Sequence, residues 1–141
     1  MGRARHSRSH FRCAVANELI LIVEDNPKNL KLVRDTLQVK GYQTVEAGTG
    51  EEGVRLARER GPALVLMDIQ LPGISGIEAF GQLRAEPATR AIPVIAVTAS
   101  MMPDDRQRIM AAGFDGFQGK PISVRELLET IRQVLERPAA E

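Results

Sequence analysis

Apolar residues in this chain fall into two patterns that alternate. Short unbroken runs occur at Leu19-Ile20-Leu21-Ile22-Val23, Leu64-Val65-Leu66-Met67 and Ile92-Pro93-Val94-Ile95-Ala96-Val97. Each is bounded by turn-forming residues, the signature of a strand buried on both faces of a parallel sheet. Between them, apolar residues recur at helical spacing: Leu30, Val33 and Leu37; Ala79, Phe80 and Leu83; Ile109 and Ala112; Leu127, Ile131 and Val134, with Leu128 and Leu135 beside them. Two weaker strands complete the pattern. Gln43 to Ala47 has the mixed polarity of an edge strand, and Asp115 to Gly119 is short and rich in glycine.

Start and stop signals fix the helices. Asn26-Pro27 offers an N-cap followed by proline at the first helical position, and Gly41 ends that helix. Thr49-Gly50-Glu51-Glu52, Ser75-Gly76-Ile77-Glu78 and Ser123-Val124-Arg125-Glu126 read as capping boxes. The first opens a helix to about Arg60, broken by Gly61-Pro62 before a strand at 63–67; the second ends at Glu86-Pro87. Pro103-Asp104-Asp105 opens a further helix that Gly113 closes. Five strand–helix alternations predict an α/β protein with right-handed crossovers. The expected fold is a flavodoxin-like (βα)5 doubly wound parallel sheet, strand order 2-1-3-4-5, in a single domain.

At 141 residues the chain suits one domain with a real core. A net charge of +1 gives no reason to expect nucleic acid or a membrane surface, and no apolar run reaches the length of a membrane span. The single cysteine, Cys13, excludes a disulfide framework and a cysteine metal cluster. Residues 1–17 carry Arg3, Arg5, Arg8, Arg12, His6 and His10 without an acid or apolar periodicity. They are expected to form a disordered basic arm, either an upstream extension or a weak attractor of an acidic partner. Residues 18–137 are the expected domain and 138–141 a frayed tail.

Strands of a parallel sheet point one way, so the residues that follow them share one rim. Glu24 and Asp25 follow the first strand, Asp68 the third, Thr98 the fourth and Lys120 the fifth. Singly, each has an ordinary reading: Asp68 as a strand end, the acid pair as a complement to a helix dipole, Thr98 as a turn residue, Lys120 as a solvated lysine. Together they place three carboxylates, a hydroxyl and an ammonium around one crevice. Packed carboxylates repel and lift one another's pKa unless a cation neutralises them. Mg²⁺ suits such a site, since it takes oxygen ligands and commonly shares one or two carboxylates with phosphate. Thr98 and Lys120 supply a hydrogen-bond donor and a point charge for a phosphoryl group, and an attacking Asp yields an aspartyl phosphate.

Glu24-Asp25, Met67-Asp68-Ile69-Gln70-Leu71-Pro72, Thr98-Ala99 and Lys120-Pro121 resemble the receiver domain of bacterial two-component response regulators, over roughly 18–137. Val23-Glu24-Asp25-Asn26 and Lys120-Pro121-Ile122-Ser123 look most like its single-domain, DivK-type cell-cycle regulators. The resemblance implies Asp68 as phosphoacceptor. Glu24, Asp25, Asp68 and the backbone carbonyl of Gln70 would hold Mg²⁺. Thr98 would be the switch hydroxyl, Lys120 the lysine on the phosphoryl group, and Phe117, three residues before it, the aromatic switch without a tyrosine hydroxyl. It also implies a cytoplasmic signalling domain, not an enzyme, that takes its phosphoryl group from a histidine kinase or phosphotransfer protein. Its output would be a protein target bound on the 103–135 face. With no output domain expected after Glu141, direct DNA binding and second-messenger synthesis are not expected. Two competitors fit less well. A Mg²⁺-dependent aspartyl-phosphate phosphatase of the haloacid-dehalogenase type carries an aspartate general acid where this chain has Gln70, and needs a cap. A flavin-binding flavodoxin would find its phosphate repelled by Glu24-Asp25.

Overall fold

The computed structural model describes residues 18–99 and 102–136; the basic arm at 1–17 and the tail at 138–141 lie outside the described residues. The elements run β1 (Leu19–Val23), α1 (Pro27–Val39), β2 (Gln43–Ala47), α2 (Gly50–Arg60), β3 (Leu64–Asp68), α3 (Gly76–Ala85), β4 (Val94–Thr98), α4 (Pro103–Ala112), β5 (Gly116–Gly119) and α5 (Val124–Glu136). The sheet has the order β2-β1-β3-β4-β5 and every pairing is parallel. This is the expected flavodoxin-like order, with the mixed-polarity β2 and the glycine-rich β5 at the two edges.

Alternate strand residues feed two cores. On one face Leu21, Val23, Val65, Met67, Val94 and Ala96 pack with Val54 and Ala57 of α2, Ala79, Phe80 and Leu83 of α3, and Ile109 of α4. On the other Ile20, Ile22, Leu64, Leu66 and Ile95 meet Val33 and Leu37 of α1 and Leu127, Ile131 and Val134 of α5. Burying each such aliphatic side chain contributes roughly 1.5–3 kcal/mol. The sheet is thus a rigid plate from which both faces exclude water, and its carboxyl-end rim is the place left for polar groups.

Local chemistry explains where the elements depart from the expected bounds. β3 runs one residue later than 63–67, because the chain keeps pairing past Asp68: the Ile69 N–H donates to the Val97 carbonyl at 2.9 Å. β4 starts at Val94, not Ile92, since Pro93 has no N–H to give the ladder; its carbonyl still accepts from Val65 at 3.0 Å. Of the three expected capping boxes, the one at Ser75 closes both ways, with Glu78 N–H to Ser75 Oγ at 3.1 Å and Ser75 N–H to Glu78 Oε1 at 3.0 Å. At α2 Thr49 caps Glu52, but the Glu52 carboxylate turns to the Gly48 N–H instead. At α5 Ser123 Oγ accepts from Glu126 N–H at 3.4 Å. Ala112, expected inward, is exposed; Ile109 is the buried anchor of α4, whose N-cap Met102 makes no side-chain cap bond. That leaves α4 the most lightly held of the helices, next to the site.

α3 shows how closely the fold is drawn around β3. The Gly76 N–H donates to the Ile69 carbonyl at 2.9 Å, and a Cβ at Gly76 would overlap the carbonyl oxygen of Asp68. Gly81, on the same helix, faces open space. The two alanine substitutions should therefore have opposite signs in urea unfolding. Gly81→Ala should stabilise by about 0.5–1 kcal/mol through helix propensity. Gly76→Ala should cost about 1–3 kcal/mol through overpacking. Equal and favourable shifts would show that α3 is not seated on the β3 backbone.

Candidate functional site

Each candidate residue stands where a strand ends on the rim. Asp68 closes β3 and is 3% exposed, with its Oδ1 accepting the Gln70 N–H at 3.0 Å. Glu24 directly follows β1 and is 4% exposed; its Oε2 accepts the Asn26 N–H at 3.1 Å. Asn26 in turn caps α1, its Oδ1 accepting from Lys28 and Asn29 at 2.9 and 3.2 Å. One short turn therefore both starts a helix and aims an acid. Asp25 beside it is exposed. Carboxylate oxygens of Glu24, Asp25 and Asp68 lie within 4.8 Å of one another, a donor set able to hold a metal ion. The chemistry of that set, oxygen donors alone and one of them solvent-facing, matches a hard divalent cation that keeps water ligands.

Lys120 closes the site from the β5 side. Its Nζ donates to Asp68 Oδ2 at 2.9 Å and stands 3.2 and 3.3 Å from the two Glu24 oxygens. Its own N–H donates to the Thr98 carbonyl at 2.8 Å, so the lysine is registered on β4. Thr98 is the last residue of β4 and 2% exposed; β4 pairs Val97 with Asp68, which sets Thr98 one step farther along the rim. All five rim residues anticipated from the sequence thus come to one place, and the Gln70 backbone lies beside Asp68. The Lys120–Pro121 peptide is cis.

Charge balance is incomplete in this cluster. Burial, and then the nearby Asp68 charge, push the Glu24 carboxyl above its ordinary value, against the lowering effect of the Asn26 N–H and Lys120. Burial pulls the Lys120 ammonium down, but its hydrogen bond to Asp68 and the charges of Asp68 and Glu24 outweigh that, and its pKa is raised. The lysine stays charged while one buried glutamate is disfavoured as an anion. The site is short of positive charge.

Phe117 lies away from this cluster, in mid-β5 and half-buried against the α2–α3–α4 core face. The Arg106 guanidinium of α4 lies 5.4 Å from its ring centroid. The ring borders a groove of about 560 Å³ between α4 and α5, with Arg106, Gln118, Arg125 and Glu129 among its walls. Neither the groove nor the Arg106 contact was visible in the sequence, because no periodicity reports which exposed arginine meets which edge strand.

The fold and site define a receiver, and comparison with known proteins agrees. Residues 20–132 match the response regulator receiver domain family, and the chain belongs to that family. It is 47% identical over 116 residues to the polar-differentiation response regulator DivK of Brucella ovis, covering 82% of this chain and 94% of that protein. The receiver domain of the sensor histidine kinase PA1611 from Pseudomonas aeruginosa superposes with a TM-score of 0.81 at 32% identity. That match covers 86% of this chain and all of that one, and that structure has a magnesium ion coordinated in its active site cleft. A CheY-like receiver domain protein from Methanospirillum hungatei superposes with a TM-score of 0.78 at 29% identity, over 86% of this chain and 95% of that one. The haloacid-dehalogenase reading finds no support among these relatives. Among the described residues no helix is long and apolar enough to cross a membrane.

The raised Glu24 pKa carries a stability consequence. A carboxyl whose folded pKa lies above its unfolded value stabilises the fold fully below the unfolded value, and loses that contribution as pH rises through the folded value. In metal-free buffer Glu24→Gln should therefore raise the melting temperature at pH 7 to 8. The gain should shrink toward zero as pH falls to the ordinary glutamate range, where the parent's Glu24 is itself protonated. A gain independent of pH would mean that Glu24 is not held as a strained anion.

Proposed function

We propose that this chain is a phosphorylation switch: Asp68 accepts a phosphoryl group from a phosphohistidine in a kinase or phosphotransfer protein, and the product changes the binding of a protein target. The observation that carries the reading is the convergence at one rim of a buried Asp68, an ammonium 2.9 Å from it, and an acid pair short of a cation. The relatives' names support the same reading, since they are response regulators and receiver domains. The role is signalling, exercised in the cytoplasm.

Asp68 Oδ attacks the phosphorus in line; the new O–P bond forms as the bond to the imidazole nitrogen breaks, and the nitrogen keeps the electron pair. Gln70 N–H holds the other carboxylate oxygen and so fixes the direction of attack. Glu24, Asp25, Asp68 and the Gln70 carbonyl would hold Mg²⁺, which would supply charge neutralisation for the phosphoryl oxygens. Lys120, already paired with Asp68, transfers its hydrogen bond to a phosphoryl oxygen as the carboxylate loses its charge. The Thr98 hydroxyl donates to another. Drawing Thr98 inward opens space that Phe117 fills by turning in from the groove; since the ring is already half-buried, this adds part of the roughly 1.5–3 kcal/mol that full burial contributes. That biases a two-state equilibrium without locking it. α4, lightly anchored, moves with it, and the target reads the 103–135 face formed by α4, β5 and α5.

Variant chemistry tests each part. With acetyl phosphate and Mg²⁺, the parent should be phosphorylated, Asp68→Asn should not, and Asp25→Ala should react far more slowly because its metal is lost. Thr98→Ala should accept phosphate yet bind the target alike with and without beryllofluoride. Labelling of Asp68→Asn equal to the parent would place the acceptor elsewhere. A phosphate response that survives Thr98→Ala but is lost on deleting 1–17 would make the basic arm the reader.

A further inference from the structure

The loop from Asp68 to α3 is fastened at both ends but held in its middle from outside. At one end the Gln70 N–H is fixed on Asp68 Oδ1 at 3.0 Å; at the other the Gly76 N–H is fixed on the Ile69 carbonyl at 2.9 Å. Between them the direction of the Gln70 carbonyl depends on the path of residues 71–74. The first turn of α2 touches that path. The Ile74 N–H donates to Glu51 Oε2 at 3.4 Å. Gly73 has φ +78°, and a Cβ there would stand 2.9 Å from both Glu51 carboxylate oxygens, so the carboxylate lies flat against the glycine. Next to it a Cβ on Gly50 would sit 2.7 Å from Ile74 Cγ1. The α2 N-terminus and the loop are in contact at two adjacent positions: Gly73 takes a positive φ that favours glycine, and Gly50 leaves room for Ile74.

We propose that Glu51 is a positioning residue for the metal site: by holding Gly73 and Ile74 it sets the direction of the Gln70 carbonyl. This rests on the metal reading above. It differs from the capping role that the Thr49-Gly50-Glu51-Glu52 pattern assigns to its neighbour Glu52, which turns away to the Gly48 N–H. Glu51 is exposed, so replacing it should leave the fold intact. Groups that hydrogen-bond a ligand directly commonly change metal affinity by about 10- to 100-fold when removed; Glu51 acts through Ile74 and Gly73, so its effect should fall at the lower end.

Calorimetric titration with Mg²⁺ alone, on the full chain without phosphodonor, is the test. Glu51→Ala should weaken Mg²⁺ binding by about tenfold, and amide exchange at Ile74 should quicken in the same variant. Glu51→Gln, which keeps the acceptor oxygen but loses the charge, should restore both close to the parent. Glu52→Ala, which removes an equal charge from the same turn, should leave both near the parent. Equal weakening by Gln and Ala, or by Glu52→Ala and Glu51→Ala, would reduce the effect to charge or helix stability and overturn the proposal. Parent-like binding in Glu51→Ala would do the same. Undiminished Mg²⁺ binding in Asp25→Ala would overturn the metal reading itself, and this proposal with it; a failure confined to the Glu51 variants overturns only the proposal.

Discussion

Two buried carboxylates share one ammonium. Lys120 stands 2.9 Å from Asp68 and 3.2 Å from Glu24, and both acids are almost wholly shielded from water. Taking such charges out of water costs about as much as their mutual attraction returns, so a buried ionic cluster is weak evidence for stability. The rest of the molecule serves to hold these groups together. Both sheet faces are sealed with aliphatic side chains, the strands are in parallel register, and the buried acids Glu24 and Asp68 stand together on the rim where strands end.

The cluster's imbalance gives it its chemistry. With one cation for two buried acids and an exposed third, the rim favours an added positive charge, and one divalent cation would balance the three carboxylates together with Lys120. A phosphoryl group removes the charge of the Asp68 carboxylate and offers new oxygens to the lysine already in place. In the proposed switch, coupling to the surface would pass through packing: Thr98 is buried at the end of β4, Phe117 is half-buried on the neighbouring strand, and α4 has one buried residue, Ile109. A small displacement at Thr98 therefore meets little resistance on the side of α4 and much on the side of β3.

Most of this was legible in the sequence because parallel sheets convert strand order into spatial order. Uninterrupted apolar runs marked β1, β3 and β4, and the residue after each run was necessarily on the rim; Asp68, Thr98 and the Glu24-Asp25 pair needed no further information. β2 and β5 were readable as edges from their mixed or glycine-rich composition. What escaped were contacts between elements distant in sequence. Lys120 was expected on a phosphoryl group, and its pairing with Glu24 depends on rotamers that no pattern encodes. Ala112 satisfied the helical period but faces solvent, because α4 packs through Ile109 and rolls the rest of its stripe outward. Glu51 looked like part of a cap, and only the folded path of Gly73 and Ile74 brings it to the metal loop.

The central claim is that charge added at Asp68 is transmitted through Thr98 and Phe117 to the α4–β5–α5 face. Amide chemical shifts of the full chain, with and without beryllofluoride and Mg²⁺, read this directly. The account predicts large shifts at Asp68 and Gln70, and a second set running from Thr98 through α4 to Phe117, with β2 nearly silent at the far edge. Shifts confined to the immediate surroundings of Asp68, with Phe117 and α4 unchanged, would contradict it.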